Sequence, residues 1–557
     1  MKRVLWLVLG SGMAMTAAAA DDGPLFARPR HDPVVVPDVA RALQASADGT
    51  AAVWVFFTDK GVDTAAAYET ALADVARTYH PAAVRRRALR RTFPGLFDHR
   101  DLPLPTSYVD AVRGTGARVR TQSTWLGGVS ATADAEQVGA IAALPFVGLV
   151  TPVARAVHTE PPAPDAAVRG GDVAAGNFYG LSLEQLTQIN IPAVHAAGFT
   201  GAGVVIGILD TGFIRTHEAF NEPSHPVQVL GEWDVINDDG DTSQEPGDPG
   251  GQSSHGTYIL GTIGAFLPNT LVGGAYDAAF YLAKTEDISS ETPIEEDFYV
   301  AGLQWIEANG ADVATSSLGY IAWYTQADLD GQTAVTTVAV NIATGNGLAC
   351  CTAAGNSGHD TSPTTSHLIA PADAFEVFSC GAVTSEGSIA GFSSDGPTAD
   401  GRTKPEVLAR GVGTWTVSPS DDFGYVGVSG TSLSTPLVAS SVALIVQAHP
   451  DWTVAQMRSA LLQTAGDYVA NGVPDPVFVR GYGIIDVLAA INMTFEGDVD
   501  TDGDTDLVDF SAYRACLGGP GVPAGPGCST ADLDEDGDVD MFDFILMQTN
   551  FTGPWTD

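Results

Sequence analysis

Two rhythms of apolar positions run along this chain. Between residues 50 and 155, short apolar runs alternate with stretches of helical spacing. Val53-Trp54-Val55-Phe56-Phe57 has the length and continuity of a buried strand, and Thr64–Arg77 reads as an amphipathic helix. Strand patterns follow at Ala117–Gln122 and Val129–Ala133, then a helix over Ala135–Leu144 and a strand over Val147–Val150. A compact α+β unit of roughly 100 residues is implied. Arg85-Arg86-Arg87 and Arg90-Arg91 form a basic run within it, expected to be a solvated helix face.

From residue 180 to 492 the pattern changes. Fully apolar strand runs such as Val204-Val205-Ile206-Gly207-Ile208-Leu209 alternate with helical stretches over Glu295–Asn309, Thr333–Gly345 and Leu433–Ala448. Continuous apolar strands separated by helices predict a parallel sheet covered on both faces. Between the two units, residues 158–178 carry Pro161-Pro162-Ala163-Pro164, Gly170-Gly171 and Gly176, and read as a linker.

Length and charge agree with this division. At 557 residues the chain exceeds what one core serves, and roughly three or four domains are expected. Residues 21–160 hold 15 basic and 15 acidic residues; residues 161–557 hold nine basic and 52 acidic ones. The net charge of -41 excludes a nucleic-acid partner, which needs basic surface. It suits an exported protein or one that binds divalent cations.

The N-terminus supports export. Lys2 and Arg3 precede the apolar run Val4–Leu9, and Ala18-Ala19-Ala20 precedes Asp21, the pattern of a signal peptide over residues 1–20. That apolar run is shorter than a membrane span needs, and no later segment is expected to be long and uncharged enough to span. Cys516 and Cys528 flank a Gly/Pro-rich loop, where an exported protein favours a disulfide. Cys350, Cys351 and Cys380 lie in apolar runs and read as buried free thiols.

The candidate chemistry lies in three short motifs of the α/β region. Asp210-Thr211-Gly212 ends the first apolar strand, His255-Gly256-Thr257 opens one apolar helix, and Gly430-Thr431-Ser432-Leu433-Ser434-Thr435-Pro436 opens another. In an open parallel sheet the carboxyl ends of strands converge on a ligand crevice, so the three can meet there. The order Asp…His…Ser distinguishes one of the convergent triads. Together these motifs resemble those of the subtilisin-like serine peptidases (subtilases). Ala353-Ala354-Gly355-Asn356 is similar to the subtilase oxyanion segment, and Ser316-Ser317-Leu318-Gly319 to the segment that lines the first specificity pocket. The resemblance implies Ser432 as nucleophile, His255 as general base and acid, Asp210 as its orienting partner and Asn356 as an oxyanion donor. It also implies that Ser317, Leu318, Gly319, Ala354 and Gly355 contact substrate, and that the chemistry needs no cofactor. Leu433-Ser434 stands where the family most often has Met-Ala, a change that leaves the nucleophile alone.

Residues 50–155 resemble the subtilase propeptide by pattern and position. The expected first cut falls between Val150 and Asn177. Glu286, Asp287, Glu291, Glu295, Glu296 and Asp297 form an acidic cluster between the His255 and Ser317 motifs. An acidic rim there would favour basic residues ahead of the scissile bond.

The tail carries an internal repeat. Asp498, Asp500, Asp502, Asp504, Asp506 and Asp509, with Gly503, recur 34 residues on as Asp532, Asp534, Asp536, Asp538, Asp540 and Asp543, with Gly537. Oxygen ligands at this spacing, with a turn glycine at the sixth position, are what Ca²⁺ asks of an EF-hand loop. The last position is Asp rather than Glu, no helix enters the first loop, and a helix leaves each loop. This duplicated loop–helix arrangement resembles a dockerin and implies a cohesin-like or cell-surface partner.

The expected protein is therefore a secreted serine endopeptidase, made as an autoprocessed zymogen and acting on proteins or peptides, with its own propeptide as an internal partner. Its α/β subtilisin-like domain (179–495) follows a signal peptide (1–20), an α+β propeptide (21–157, folded core 50–155) and a linker (158–178). A dockerin-like Ca²⁺-binding module (496–557) ends it. The competing reading is a non-catalytic secreted binding protein that uses the tail for attachment.

Overall fold

The computed structural model describes residues 34–153, 155–156, 166–172, 176–288, 296–322, 324–534 and 536–551. The proposed signal segment lies outside these residues.

The N-terminal unit is built on a five-stranded sheet, in the order Val34–Val35, Val147–Pro152, Thr50–Phe57, Gly128–Asp134, Arg118–Ser123. Its central strand shows why the sequence reads as continuously apolar. Side chains alternate across a strand. Ala51, Val53 and Val55 enter the unit's own core with Val129, Ala131 and Ile141. Ala52 and Trp54 point the other way and join a second cluster with Tyr299, Leu303, Ala339 and Ala343. Both faces are buried because one of them lies on the next domain.

That domain holds a seven-stranded sheet, in the order Val407–Arg410, Phe378–Val383, Ala349–Ala353, Val313–Ser316, Val205–Asp210, Ala279–Lys284, Gln228–Asp234. All neighbouring pairs are parallel. Helices Ser254–Gly264 and Thr431–Ala448 bury their apolar sides in the main core on one face. Helices Glu296–Asn309 and Val335–Gly345 cover the other face and carry the N-terminal unit. The doubly covered parallel sheet is thus as the pattern predicts.

Three expectations need correction. Helix Thr431–Ala448 is long and apolar enough by length and composition to cross a membrane, contrary to the expectation that no such segment exists, but it is buried through the protein core. Within the basic run Arg85 is exposed as expected, but the other arginines are not solvated. Arg86, Arg87 and Arg90, on helix Pro81–Arg90, are buried against the α/β domain, whose Glu307 and Asp312, with Asp101 of the N-terminal unit, neutralise them. The stretch read as a linker contributes structure: Ala166–Arg169 is a strand paired antiparallel with Gly424–Val428.

The tail has a small core of Val499, Tyr513, Ala531, Val539 and Met547. Helices Leu507–Cys516 and Met541–Thr549 leave the two acidic loops, each started by a reciprocal cap between Asp506 and Asp509 or Asp540 and Asp543. The Cys516–Cys528 disulfide is present, and Cys350, Cys351 and Cys380 are free and buried.

Candidate active site

The three motifs meet at the carboxyl end of the seven-stranded sheet. Asp210 is the last residue of its strand and fully buried, and its Oδ1 lies 2.7 Å from His255 Nδ1. Thr211 fixes the same oxygen through its backbone N–H at 2.7 Å and its hydroxyl at 3.2 Å. His255 sits in the first turn of its helix. The motif residues after it serve close packing: a Cβ on Gly256 would lie 2.3 Å from Gly212 O, so only glycine lets this helix approach the Asp210 turn. Thr257 Oγ1 accepts Ile214 N–H at 2.8 Å and donates to Ser253 O at 2.6 Å, pinning the loop after Asp210.

Burial, the largest influence on His255, pushes its pKa down, but the charge and hydrogen bond of Asp210 outweigh it and leave the imidazole above its ordinary value. The favoured tautomer carries its proton on Nδ1, toward Asp210, and leaves Nε2 as a base.

Ser432 stands in the first turn of helix Thr431–Ala448, after Gly430 at the N-cap. Pro436 has no N–H to give to the carbonyl four residues back, which is Ser432 O. The Ser317 hydroxyl donates to that carbonyl instead, at 2.9 Å. The Ser432 hydroxyl is 3.4 Å from Ser317 O and, among the described residues, makes no hydrogen bond to His255. Bonds of this kind tighten when substrate arrives. Asn356 is held by its carbonyl end: Oδ1 accepts Thr431 N–H at 2.9 Å and the Thr431 hydroxyl at 3.0 Å, so its amide nitrogen is left for the cleft.

A narrow cleft is lined by His255, Ser317, Leu318, Gly319, Gly355, Asn356 and Ser432, together with Glu286, Ala353, Ile369 and Thr431. Ala354, between the cleft-lining Ala353 and Gly355, buries its side chain in a small cluster with Leu368 and Ala370. Sequence reasoning missed Thr431, which orients Asn356; Ile369, against which Gly319 packs; and Gln252, whose amide ties Thr211 O to Glu286 O at 2.7 and 2.5 Å. It also missed Lys284. Burial pulls this lysine's pKa down, but hydrogen bonds to Asp234 (2.7 Å) and Asp248 (2.8 Å) leave it raised, directly opposite Asp210 on the neighbouring strand.

Of the expected acidic rim, Glu286 lines the cleft, while Glu296 and Asp297 face the N-terminal unit in this form of the chain. Glu296 accepts Trp54 Nε1–H at 2.9 Å and the Tyr324 hydroxyl at 2.6 Å, while Asp297 pairs with Arg120 at 2.8 Å. Glu291 and Glu295 lie outside the described residues. The N-terminal unit also reaches the substrate side: Arg155–Ala156 pairs antiparallel with Tyr320–Ala322, directly after Ser317-Leu318-Gly319.

In the tail, ligand oxygens of Asp498, Asp500, Asp502 and Asp509 lie within 4.8 Å of one another, as do those of Asp532, Asp534 and Asp536 and those of Asp538, Asp540 and Asp543; Asp504 and Asp506 make a further group with Asp509. Burial first, then the neighbouring carboxylates, pushes Asp498 up to about 6 and Asp500 up to about 7. Asp532 Oδ1 and Asp538 Oδ1 are buried without a hydrogen-bond partner. Crowded carboxylates with orphaned oxygens fit a hard cation with oxygen ligands.

A buried Asp–His pair facing a serine at a helix N-terminus, on an open parallel sheet, defines a serine hydrolase. Residues 201–484 match the subtilase family, residues 52–165 the peptidase S8 propeptide domain of Bacteroidota, and residues 496–551 the dockerin type I domain. Subtilisin E of Bacillus subtilis (strain 168) is 34% identical over 314 residues, covering 56% of this chain and 70% of its own. An alkaline protease of Alkalihalobacillus alcalophilus is 32% identical over 284 residues, covering 50% and 63%. The fold is similar to that of fervidolysin from Fervidobacterium pennivorans, a keratinolytic enzyme related to subtilisin, with a TM-score of 0.54 at 21% identity, over 80% of this chain and 61% of that one. The chain belongs to the subtilase family, and its peptidase domain is that of a serine endopeptidase.

Proposed function

We propose that this protein hydrolyses peptide bonds in proteins through an acyl-enzyme formed on Ser432. The observation that carries this is the 2.7 Å Asp210–His255 bond beside a cleft that also holds Ser432 and Asn356. Ser432 Oγ attacks the scissile carbonyl as His255 Nε2 takes its proton; His255 then gives that proton to the leaving amine. Water, deprotonated by the same nitrogen, cleaves the ester and restores Ser432. Asp210 stabilises the imidazolium formed in both steps. The Asn356 amide and the Ser432 N–H at the positive end of its helix receive the developing oxyanion. Ser317, Leu318, Gly319 and Gly355 form the bed for the substrate.

The chain is read as an exported zymogen with residues 1–20 as its signal peptide. The strands Arg155–Ala156 and Ala166–Arg169 dock on different parts of the peptidase domain, which supports a processing cut between Ala156 and Ala166. The two tail loops bind Ca²⁺ through the twelve aspartates named above. A cohesin-like partner outside the cell would then meet the exposed pairs Leu507-Val508 and Met541-Phe542, which stand at equivalent positions of the repeat. Ser432→Ala should abolish casein hydrolysis and accumulate chain that starts near Asp21, whereas active protein should start between residues 157 and 166. Hydrolysis by Ser432→Ala would end this assignment.

A further inference from the structure

The two acidic loops are near copies in sequence, yet their surroundings differ. Around the first, Gln456 Nε2 donates to Asp498 Oδ2 at 2.9 Å, the Thr453 hydroxyl to Thr501 O at 2.9 Å, and the Ser459 hydroxyl to Gly503 O at 2.7 Å. Thr453 caps helix Val454–Gln463 of the peptidase domain; Gln456 and Ser459 follow at three-residue spacing, so the three share one face. The Trp452 and Phe495 rings meet edge-on at 5.0 Å beside them. A Cβ on Gly503 would lie 2.7 Å from Ser459 Cβ, whereas one on Gly537, the equivalent glycine, meets nothing within 4 Å. Asp532, the counterpart of Asp498, receives Gly537 N–H on Oδ2, and its Oδ1 is buried with no partner. Among the described residues, the hydrogen bonds of the second loop stay within the tail.

We infer that the first loop is the mount of the tail on the peptidase domain, and that Ca²⁺ bound there stabilises the peptidase while Ca²⁺ in the second loop does not. This rests on the calcium reading above. Gln456 orients a ligand carboxylate from outside the loop, and Ser459 holds the carbonyl of the turn glycine. The peptidase helix therefore preorganises one loop and leaves its copy unassisted. Linkage makes the effect reciprocal: a helix that tightens Ca²⁺ binding is itself held more firmly by the bound ion, by the same factor. The tail and its exposed apolar pairs are then carried at a fixed bearing to the catalytic cleft.

The test uses the full chain with Ser432→Ala, which removes self-digestion, and adds Ser459→Ala, Gly503→Ala or Gly537→Ala. Titration calorimetry with CaCl₂ reads the sites, and differential scanning calorimetry reads the peptidase transition with Ca²⁺ and with chelator. The parent should show one tighter and one weaker site. Ser459→Ala should weaken the tighter one about fivefold, the worth of one hydrogen bond. Ser459→Ala and Gly503→Ala should both shrink the Ca²⁺-dependent rise of the peptidase transition. Gly537→Ala imposes the same backbone strain in the second loop (φ +92° against +99°) and should leave that rise intact. Equal effects of the two glycine substitutions, or an unchanged rise in Ser459→Ala, would overturn the mount while leaving calcium binding standing. No Ca²⁺ uptake at all would instead overturn the calcium reading itself.

Discussion

Glu307 offers a quantitative test of how the propeptide domain is held. It is fully buried on helix Glu296–Asn309. Its Oε1 accepts Arg87 Nε at 2.9 Å and an Arg86 N–H, and its Oε2 accepts Arg87 Nη2 at 2.9 Å and the Tyr79 hydroxyl at 2.5 Å. One peptidase carboxylate thus neutralises two buried propeptide guanidiniums, and Asp101 adds a second carboxylate on Arg87, at 2.8 Å. Glu307→Gln keeps the shape and removes the charge. Removing one partner of a buried pair costs about 3–5 kcal/mol, because the remaining charge stays desolvated. At about 1.4 kcal/mol per tenfold, the propeptide should bind the mature enzyme roughly a hundredfold to a few thousandfold more weakly. The assay is inhibition of mature wild-type and Glu307→Gln enzyme by separately expressed propeptide domain added in trans. The pH dependence has a definite sign. Burial pushes the Glu307 carboxyl up, but Arg86 and Arg87 outweigh it and hold the pKa below its usual range. A depressed carboxylate contributes fully above its free value of about 4.3 and is lost only as pH falls through its lower bound value. The wild-type complex should therefore hold through mild acid. An unchanged inhibition constant in Glu307→Gln would refute the reasoning.

Other expectations concern the cleft. The acid limb of kcat/KM should lie above the ordinary histidine value, because neutral His255 is the working form and Asp210 raises its pKa; Asp210→Asn should move the limb downward, since burial then acts unopposed, and a limb that stays put would assign it to another group. Asn356→Ala should lower kcat by about 10²–10³ with little change in KM, a magnitude known from a subtilisin and not worked out from this cleft. Thr431→Val should give a smaller loss of the same kind, because it frees the Asn356 amide to turn; normal kcat in both would place the oxyanion donor elsewhere. Lys284→Met leaves Asp234 and Asp248 without their cation and should lower the unfolding temperature by several degrees, read by circular dichroism; an unchanged transition would show that the backbone N–H groups of Ile236 and Asn237, bonded to Asp234, suffice.

Much of this protein is legible from local pattern. Continuous apolar strands separated by helices predict the parallel sheet, because both its faces must be buried. The triad motifs are readable because each does local work: Thr211 holds Asp210, Gly256 permits a close approach, and Gly430 opens the helix that carries Ser432. The tail repeat is readable because cation ligands must recur at fixed steps along one loop. Tertiary structure decided whatever depends on partners distant in sequence. A run of arginines has the same local signature on a solvated face and in a buried interface; it takes Glu307, more than two hundred residues away, to pair with both Arg86 and Arg87 and make their burial tolerable. Residues 166–169 look like linker because their strand partners come at 424–428. The two acidic loops carry the same aspartates and the same turn glycine at the same steps, so their ligand pattern does not distinguish them. Their difference comes from a helix face bearing Thr453, Gln456 and Ser459, which packing brings against only one of the two copies.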